Sequence, residues 1–218
     1  STTSVTITEP TALNVSIASS TNVTCNGSCN GTALSAASGG VGPYSYTWSN
    51  AATTAGVNGL CAGSHSVTVK DGNNCSVSAS VIITEPNVLN VTISTVDAKC
   101  QGVCDGNANA EAIGGTPPYA YQWSDPLSQT TNTANGLCAG PYFVTVTDSK
   151  GCVSVKSATI SEPNQLSVTV TTKQDVDCHG DCDGFISVTA AQGTVPYTYL
   201  RSNGQVNPLS TGLCAGNY

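Results

Sequence analysis

Methionine is absent from the 218-residue chain, and Phe and Trp occur only twice each. Charged residues make up 9% of it, against roughly 25% in an average soluble domain. Glu, Lys, Arg, Met and Leu are the residues that build helices, and their scarcity excludes an all-α fold. Lys and Arg together number six and are scattered, so no basic stripe exists to follow a phosphate backbone, and nucleic acid is excluded as a partner. No apolar run reaches the ~20 residues of a membrane-spanning helix. No catalytic motif is visible, and the chain is read as non-enzymatic and without a resident cofactor.

What is abundant is Gly (22 residues), Ser, Thr, Asn, Val and Cys (11 residues). Such a composition favours strands and turns. Eleven cysteines imply disulfides, zinc or thiol chemistry. The close pairs are spaced CxxxC, at Cys25/Cys29, Cys100/Cys104 and Cys178/Cys182, and only two His accompany them. Zinc ligation and CxxC redox chemistry both lack their spacing. Structural disulfides remain, and they place the chain outside the cytoplasm, secreted or at a cell surface.

Self-comparison shows a tandem repeat. Ser/Thr-Glu-Pro triplets end at Pro10, Pro86 and Pro163. Leu-Cys-Ala-Gly recurs at 60–63, 137–140 and 213–216, and Pro-Tyr-x-Tyr at 43–46, 118–121 and 196–199. The period of about 76 residues suits one small β domain. The frame is then 1–10 as the last strand of a preceding repeat, 11–86 as repeat one, 87–163 as repeat two, and 164–218 as a truncated repeat three reaching into its sixth strand. In repeat two, period-two alternation predicts strands at 89–93, 107–113, 119–123, 142–146 and 153–160, with a weak one in 130–136. Six or seven short strands without a helix predict an all-β, tandem array of immunoglobulin-like β-sandwich domains, disulfide-stapled and stacked end to end through linkers of two or three residues.

Gly-Gly-x-x-Pro-Tyr-x-Tyr-x-Trp-Ser, Gly-Leu-Cys-Ala-Gly-x-Tyr-x-Val-Thr-Val-x-Asp-x-x-Gly-Cys and Thr-Ile-x-Glu-Pro resemble the SprB-repeat family over essentially the whole chain. The resemblance is fullest in repeat two; repeat one departs at His65 and repeat three at Arg201. It implies an exported, repetitive cell-surface adhesin of the Bacteroidota, of the gliding-motility type and leaving by type IX secretion. It implies no catalytic residue. Simple repeats of this family carry two cysteines, matching Cys25 and Cys75. A second pair per repeat, matching Cys29 and Cys61, is then an added staple.

Three groups of residues are candidates for function. The first is the aromatic stripe of the third strand: Tyr44, Tyr46 and Trp48, with Tyr119, Tyr121 and Trp123 in repeat two. Residues two apart share a strand face. Arg201 stands where Trp48 and Trp123 do, which predicts a half-exposed stripe near the rim, available to a sugar or a protein. The second is a weak Ca2+ candidate, Asp175, Asp177, Asp181 and Asp183, whose carboxylates two apart could supply oxygens. The third is the Leu-Cys-Ala-Gly-x-Tyr segment, a tyrosine corner at Tyr142 and Tyr218 with His65 as the odd member.

The immunoglobulin-like topology places Cys29–Cys61, Cys104–Cys138 and Cys182–Cys214 together as local bridges, with Cys178 left among the rest. Cys25 and Cys75 fall at opposite ends of one sandwich, ~20 Å or more apart, whereas a disulfide spans at most ~7 Å between Cα atoms. Two maps are open: Cys25–Cys75 with Cys100–Cys152 if the first strand is displaced, or Cys25–Cys152 between neighbouring repeats. Partners are then neighbouring repeats of the same chain, like chains in a filament, or a surface glycan or protein. The expected role is a stalk or filament; the alternatives are repeated ligand- or carbohydrate-binding modules, or accessory domains of a large secreted enzyme.

Overall fold

The computed structural model describes residues 2–218. Among these residues all regular structure is β. Repeat one contains β1 (Asn14–Thr21), β2 (Gly31–Ser38), β3 (Ser45–Trp48), β4 (Gly56–Leu60), β5 (Gly63–Lys70) and β6 (Ser76–Ile83). Repeat two contains β7 (Asn90–Val96), β8 (Gly106–Ile113), β9 (Tyr119–Trp123), β10 (Thr133–Leu137), β11 (Gly140–Asp148) and β12 (Val153–Ile160). Repeat three contains β13 (Ser167–Gln174), β14 (Gly184–Ala191) and β15 (Leu209–Leu213).

In repeat one, the sheet β1-β2-β4 faces the sheet β3-β5-β6, and every ladder within each sheet is antiparallel. Repeat two repeats the orders, β7-β8-β10 and β9-β11-β12. These are the A-B-E and C-F-G sheets of an immunoglobulin-like sandwich that lacks strand D. The core of repeat one draws on both sheets: Val15 and Ala33 from one, Trp48, Val67, Val69 and Ile83 from the other, with Leu60 closing the end. Val67 and Val69 have Val144 and Val146 as counterparts, all fully buried. The Val-x-Val alternation of that strand turns both side chains inward.

By contact density the chain falls into two compact units. One holds the residues up to Val91 with Ala112–Ala120 and Thr145–Ser154. The other holds Thr92–Glu111, Tyr121–Val144 and Val155–Tyr218. The dividing line passes through repeat two, because its F–G turn and B–C turn belong with repeat one.

Two stretches differ from the strand pattern of the sequence. Residues 2–13 form no strand, and Val5 and Ile7 are 86% and 94% exposed. A strand exists only where a neighbour supplies its hydrogen bonds, and this segment has none among the described residues. In repeat three, Tyr197–Arg201 and Ala215–Tyr218 are not strands, and β13 is exposed along its length. Val168 is exposed there, whereas its equivalents Val15 and Val91 are buried. One sheet without a second leaves its apolar face open.

Candidate functional site

The aromatic stripe faces inward. Trp48 and Trp123 are each 2% exposed, and Tyr44 and Tyr46 pack against the core, so the expected half-exposed platform is corrected to a core element. Tyr119 and Tyr121 are half-buried in the same way. Each Trp Nε1 donates to a carbonyl just before strand E, at Thr54 and Thr131, both at 3.0 Å. Arg201 Nε reaches the equivalent carbonyl of Asn207 at 3.4 Å, and its Nη2 donates to Pro208 at 2.6 Å. The guanidinium thus takes over the indole's hydrogen bond from an intermediate level of burial, and its presence says nothing about exposure of the Trp. The first Tyr of each pair ties strand C to the B–C turn: Tyr44, Tyr119 and Tyr197 hydroxyls donate to Gly39, Gly114 and Gln192.

The tyrosine corner is present in all three repeats. Tyr142 and Tyr218 hydroxyls donate to Cys138 and Cys214 carbonyls at 3.0 and 3.1 Å. His65 Nε2 makes the same bond to Cys61 at 2.9 Å, so the imidazole substitutes for the phenol. Each corner sits beside a disulfide: Cys29–Cys61, Cys104–Cys138 and Cys182–Cys214.

Two carboxylates that spacing alone marks only as turn residues organise the far end of the sandwich. Asp71 accepts amide hydrogen bonds from Val41 (3.1 Å) and from Cys75 and Asn73 (2.9 Å each). Asp148 accepts from Thr116 (2.8 Å), Lys150 and Cys152 (2.9 Å each). The Val41 amide first, then those of Cys75 and Asn73, hold Asp71 below the ordinary aspartate range against some desolvation. For Asp148 desolvation is the largest single influence and raises the pKa; the Cys152, Thr116 and Lys150 amides together overcome it, and the net shift is downward. Room for these carboxylates is made by glycine: a Cβ on Gly40 or Gly115 would stand 2.6 or 2.7 Å from the Asp oxygen.

A carboxyl group with a depressed folded pKa stabilises the fold above its unfolded pKa and loses that contribution as pH falls through the folded value. The melting temperature is therefore expected to be flat from pH 7 to about 5 and to drop below about pH 4, the ordinary aspartate pKa. Asp148→Asn should lower the plateau at pH 7 and flatten the acid slope, as read by melting curves across pH. An unchanged slope would remove Asp148 from this role.

The Glu of each Ser/Thr-Glu-Pro triplet has a defined job. Glu85 Oε2 accepts from the Gly27 amide, and Glu162 Oε2 from the Gly102 amide, both at 2.7 Å. Around it, Val23 N donates to Thr84 O and Thr84 N to Asn22 Oδ1, and Ala98, Ser161 and Asp97 repeat the pattern. The end of strand G is thereby hooked into the CxGxC loop of its own repeat.

That loop and the F–G turn carry the remaining cysteines. Cys25 is bonded to Cys152, with Cα atoms 5.7 Å apart and 127 residues between them. The bond runs from the A–B loop of repeat one to the F–G turn of repeat two, and Cys75, Cys100 and Cys178 are free and exposed. The alternative pairs Cys25–Cys75 and Cys100–Cys152 are absent. Nor does the structure gather the four aspartates: Asp183 accepts from the Asp177 amide at 3.2 Å, and Asp175 turns to Lys173 at 3.3 Å. No cluster of three or more His, Cys, Asp or Glu able to hold a metal occurs among the described residues. Asp183 fills the position of Asn30 and Asp105, which cap the same loop by accepting from Thr24 and Lys99 amides.

A family profile described as the SprB repeat matches the chain three times, over residues 17–53, 92–128 and 170–206, together just over half of its length. The chain belongs to the SprB-repeat family. In repeats one and two each match runs from strand A through the CxGxC loop and the B–C turn to just past strand C, so the SprB signature there covers the hooked loop and the buried aromatic stripe. No curated protein matches the chain. Among solved structures, a Dscam structure concerned with isoform specificity aligns at 11% identity and TM-score 0.32, covering 71% of this chain and 46% of that one. The chain thus spans about half the length of that relative. A tetra-tandem repeat from the extending region of a large adhesion protein aligns at 16% identity and TM-score 0.25, covering 92% of this chain and 63% of that one. The eight N-terminal immunoglobulin domains of the Down syndrome cell adhesion molecule align at 10% identity and TM-score 0.31, covering 90% and 27%. The chain is a repetitive segment built of SprB repeats.

Proposed function

We propose that this segment is a tension-bearing stalk of a long protein exposed at the cell surface, built to transmit force from repeat to repeat and not to bind a ligand on each one. The observation that carries this reading is the Cys25–Cys152 bond, which adds a second covalent path between two repeats already joined through Pro86. A noncovalent contact between domains slides or opens under load, whereas a disulfide must be reduced. The stapled corners at Cys29–Cys61 and Cys104–Cys138 serve the same end within each repeat. Burial of Trp48 and Trp123 removes the aromatic surface on which a repeated carbohydrate site would rest. Exposed oxidised cysteine pairs fit an extracellular setting.

Labelling of intact cells with a membrane-impermeant biotin reagent tests the setting and the pairing together. The expected result is a labelled protein whose non-reducing digest yields the Cys25 and Cys152 peptides as one linked species. Recovery of both as free thiols from a cytoplasmic fraction would overturn the reading.

A further inference from the structure

Repeat two carries exposed apolar residues at positions where repeat one is small or polar. Leu127 and Phe143 are 79% and 51% exposed, and Val88 and Val153 are 62% and 58% exposed. Repeat one has Ser66 in place of Phe143, Ala12 in place of Val88 and Ser76 in place of Val153, and it has no counterpart of Leu127. Exposed apolar side chains scattered singly need no explanation. Here they form one convex element and one concave element.

The convex element is the turn after strand C. The amides of Trp48, Trp123 and Arg201 donate to the carbonyls of Ala52, Gln129 and Gln205. The turn of repeat two is therefore two residues longer than the others, and it presents Pro126 and Leu127. The buried Asp125 carboxylate fixes its backbone, accepting from the Leu127 amide (3.1 Å), the Gln129 amide (2.9 Å) and Gln129 Nε2 (3.1 Å). Gln129 Oε1 in turn accepts from Asn135 N at 3.0 Å, and Gln122 Nε2 donates to Ser128 O at 3.2 Å. Ser124 exchanges two hydrogen bonds with Phe143, which sets that residue beside the turn. Leu127 is thus held out to solvent on a rigid base, so little conformational freedom is lost when it is covered. The matching turn of repeat one, residues 49–51, is also exposed, with repeat two in place after it, so exposure of this turn belongs to the repeat itself.

The concave element is a cleft of about 360 Å3 where repeats one and two join, lined by Val88, Leu89, Val153 and the Cys25–Cys152 bridge, with Asn26 and Gly151. Unpaired charges of opposite sign accompany the two elements. Burial raises the pKa of Asp125, but the Gln129 side chain and the Gln129 and Leu127 amides outweigh it and hold the carboxyl below the ordinary aspartate range. It has no ion-pair partner among the described residues, and neither has Lys150, exposed next to Gly151 in the F–G turn.

From an apolar knob and an apolar cleft on one chain, with opposite charges beside them, we infer that a second copy of this chain docks by seating Leu127 in the cleft between Val88 and Val153. A knob and a cleft at different places on one chain make a heterologous contact, which can pass from copy to copy. The contact joins separate chains, and it stands whether or not the segment bears tension.

The test places a benzophenone photo-crosslinker at position 127 of the oxidised 218-residue chain, with Cys75, Cys100 and Cys178 capped by N-ethylmaleimide. Unlabelled and isotope-labelled chains are mixed and irradiated, and the linked peptides are identified by mass spectrometry. The expected result is mixed-isotope crosslinks from position 127 to residues 87–89 or 151–153. Sedimentation velocity should show association that rises with concentration. Leu127→Asp and Val153→Asp should each weaken it about tenfold or more. Lys150→Glu should weaken it as well, and Ser66→Asp in repeat one should leave it unchanged. All four side chains are exposed, so the melting curves should superimpose. Crosslinks confined to single-isotope species, crosslinks outside the cleft, a chain that stays monomeric at ~1 mM, or association insensitive to Leu127→Asp would each overturn the inference.

Discussion

Reduction of the four disulfides is expected to unfold repeats one and two at temperatures where the oxidised chain remains fully folded. Each repeat of about 76 residues has a core made largely of Val, Ala and a single Trp, which is a small apolar reserve for a domain of that size. The Cys29–Cys61 and Cys104–Cys138 loops enclose 32 and 34 residues. In the chain-entropy account, opening either costs about 3.5 kcal/mol. The Cys25–Cys152 loop spans 127 residues, but the two staples inside it shorten the effective loop to about 61. Its loss then costs about 4 kcal/mol more, shared by the two repeats it joins. Set against a total of about 5–15 kcal/mol for an ordinary domain, these losses are decisive. Calorimetry with and without a phosphine reductant should show the melting temperature falling by about 20 °C or more, at about 4–8 °C per kcal/mol. Superimposable traces would show that the apolar core alone holds the sandwich.

Trp123→Ala is expected to cost repeat two about 3–5 kcal/mol. The indole is fully buried between the sheets, and its Nε1 donates to the Thr131 carbonyl. Truncation leaves a cavity and an unmet acceptor together. Repeat one keeps Trp48, so the loss should appear as one early transition in a chain that otherwise melts as before. A change within about 0.5 kcal/mol, typical of a surface substitution, would return the aromatic stripe to the solvent.

Repetition made the strands legible. Alternation in repeat two places strands at 89–93, 107–113, 119–123 and 153–160, and the structure has them at 90–96, 106–113, 119–123 and 153–160. The orientation of the Trp was lost because one variant position, Arg201, was read through the cost of burying a charge. Backbone carbonyls at Asn207 and Pro208 meet that cost, and carbonyls leave no mark in a sequence. The roles of Glu85 and Asp148 were hidden for the same reason, since their partners are amides of Gly27 and Cys152. Spacing leaves Cys25 two partners, because Cys75 and Cys152 are equivalent positions one period apart. Only the packing of the F–G turn of repeat two on the CxGxC loop of repeat one distinguishes them.

The central claim is that force crosses from repeat one to repeat two through Cys25 and Cys152. Pulling a single chain by its two termini until every repeat is unfolded measures this directly. With the bridge and the three local staples closed, about 60 residues lie on the path between the termini, so the fully extended oxidised chain should reach only ~200 Å, against ~750 Å after reduction. An oxidised extension of ~400 Å, the length left by the three local staples alone, would contradict the account.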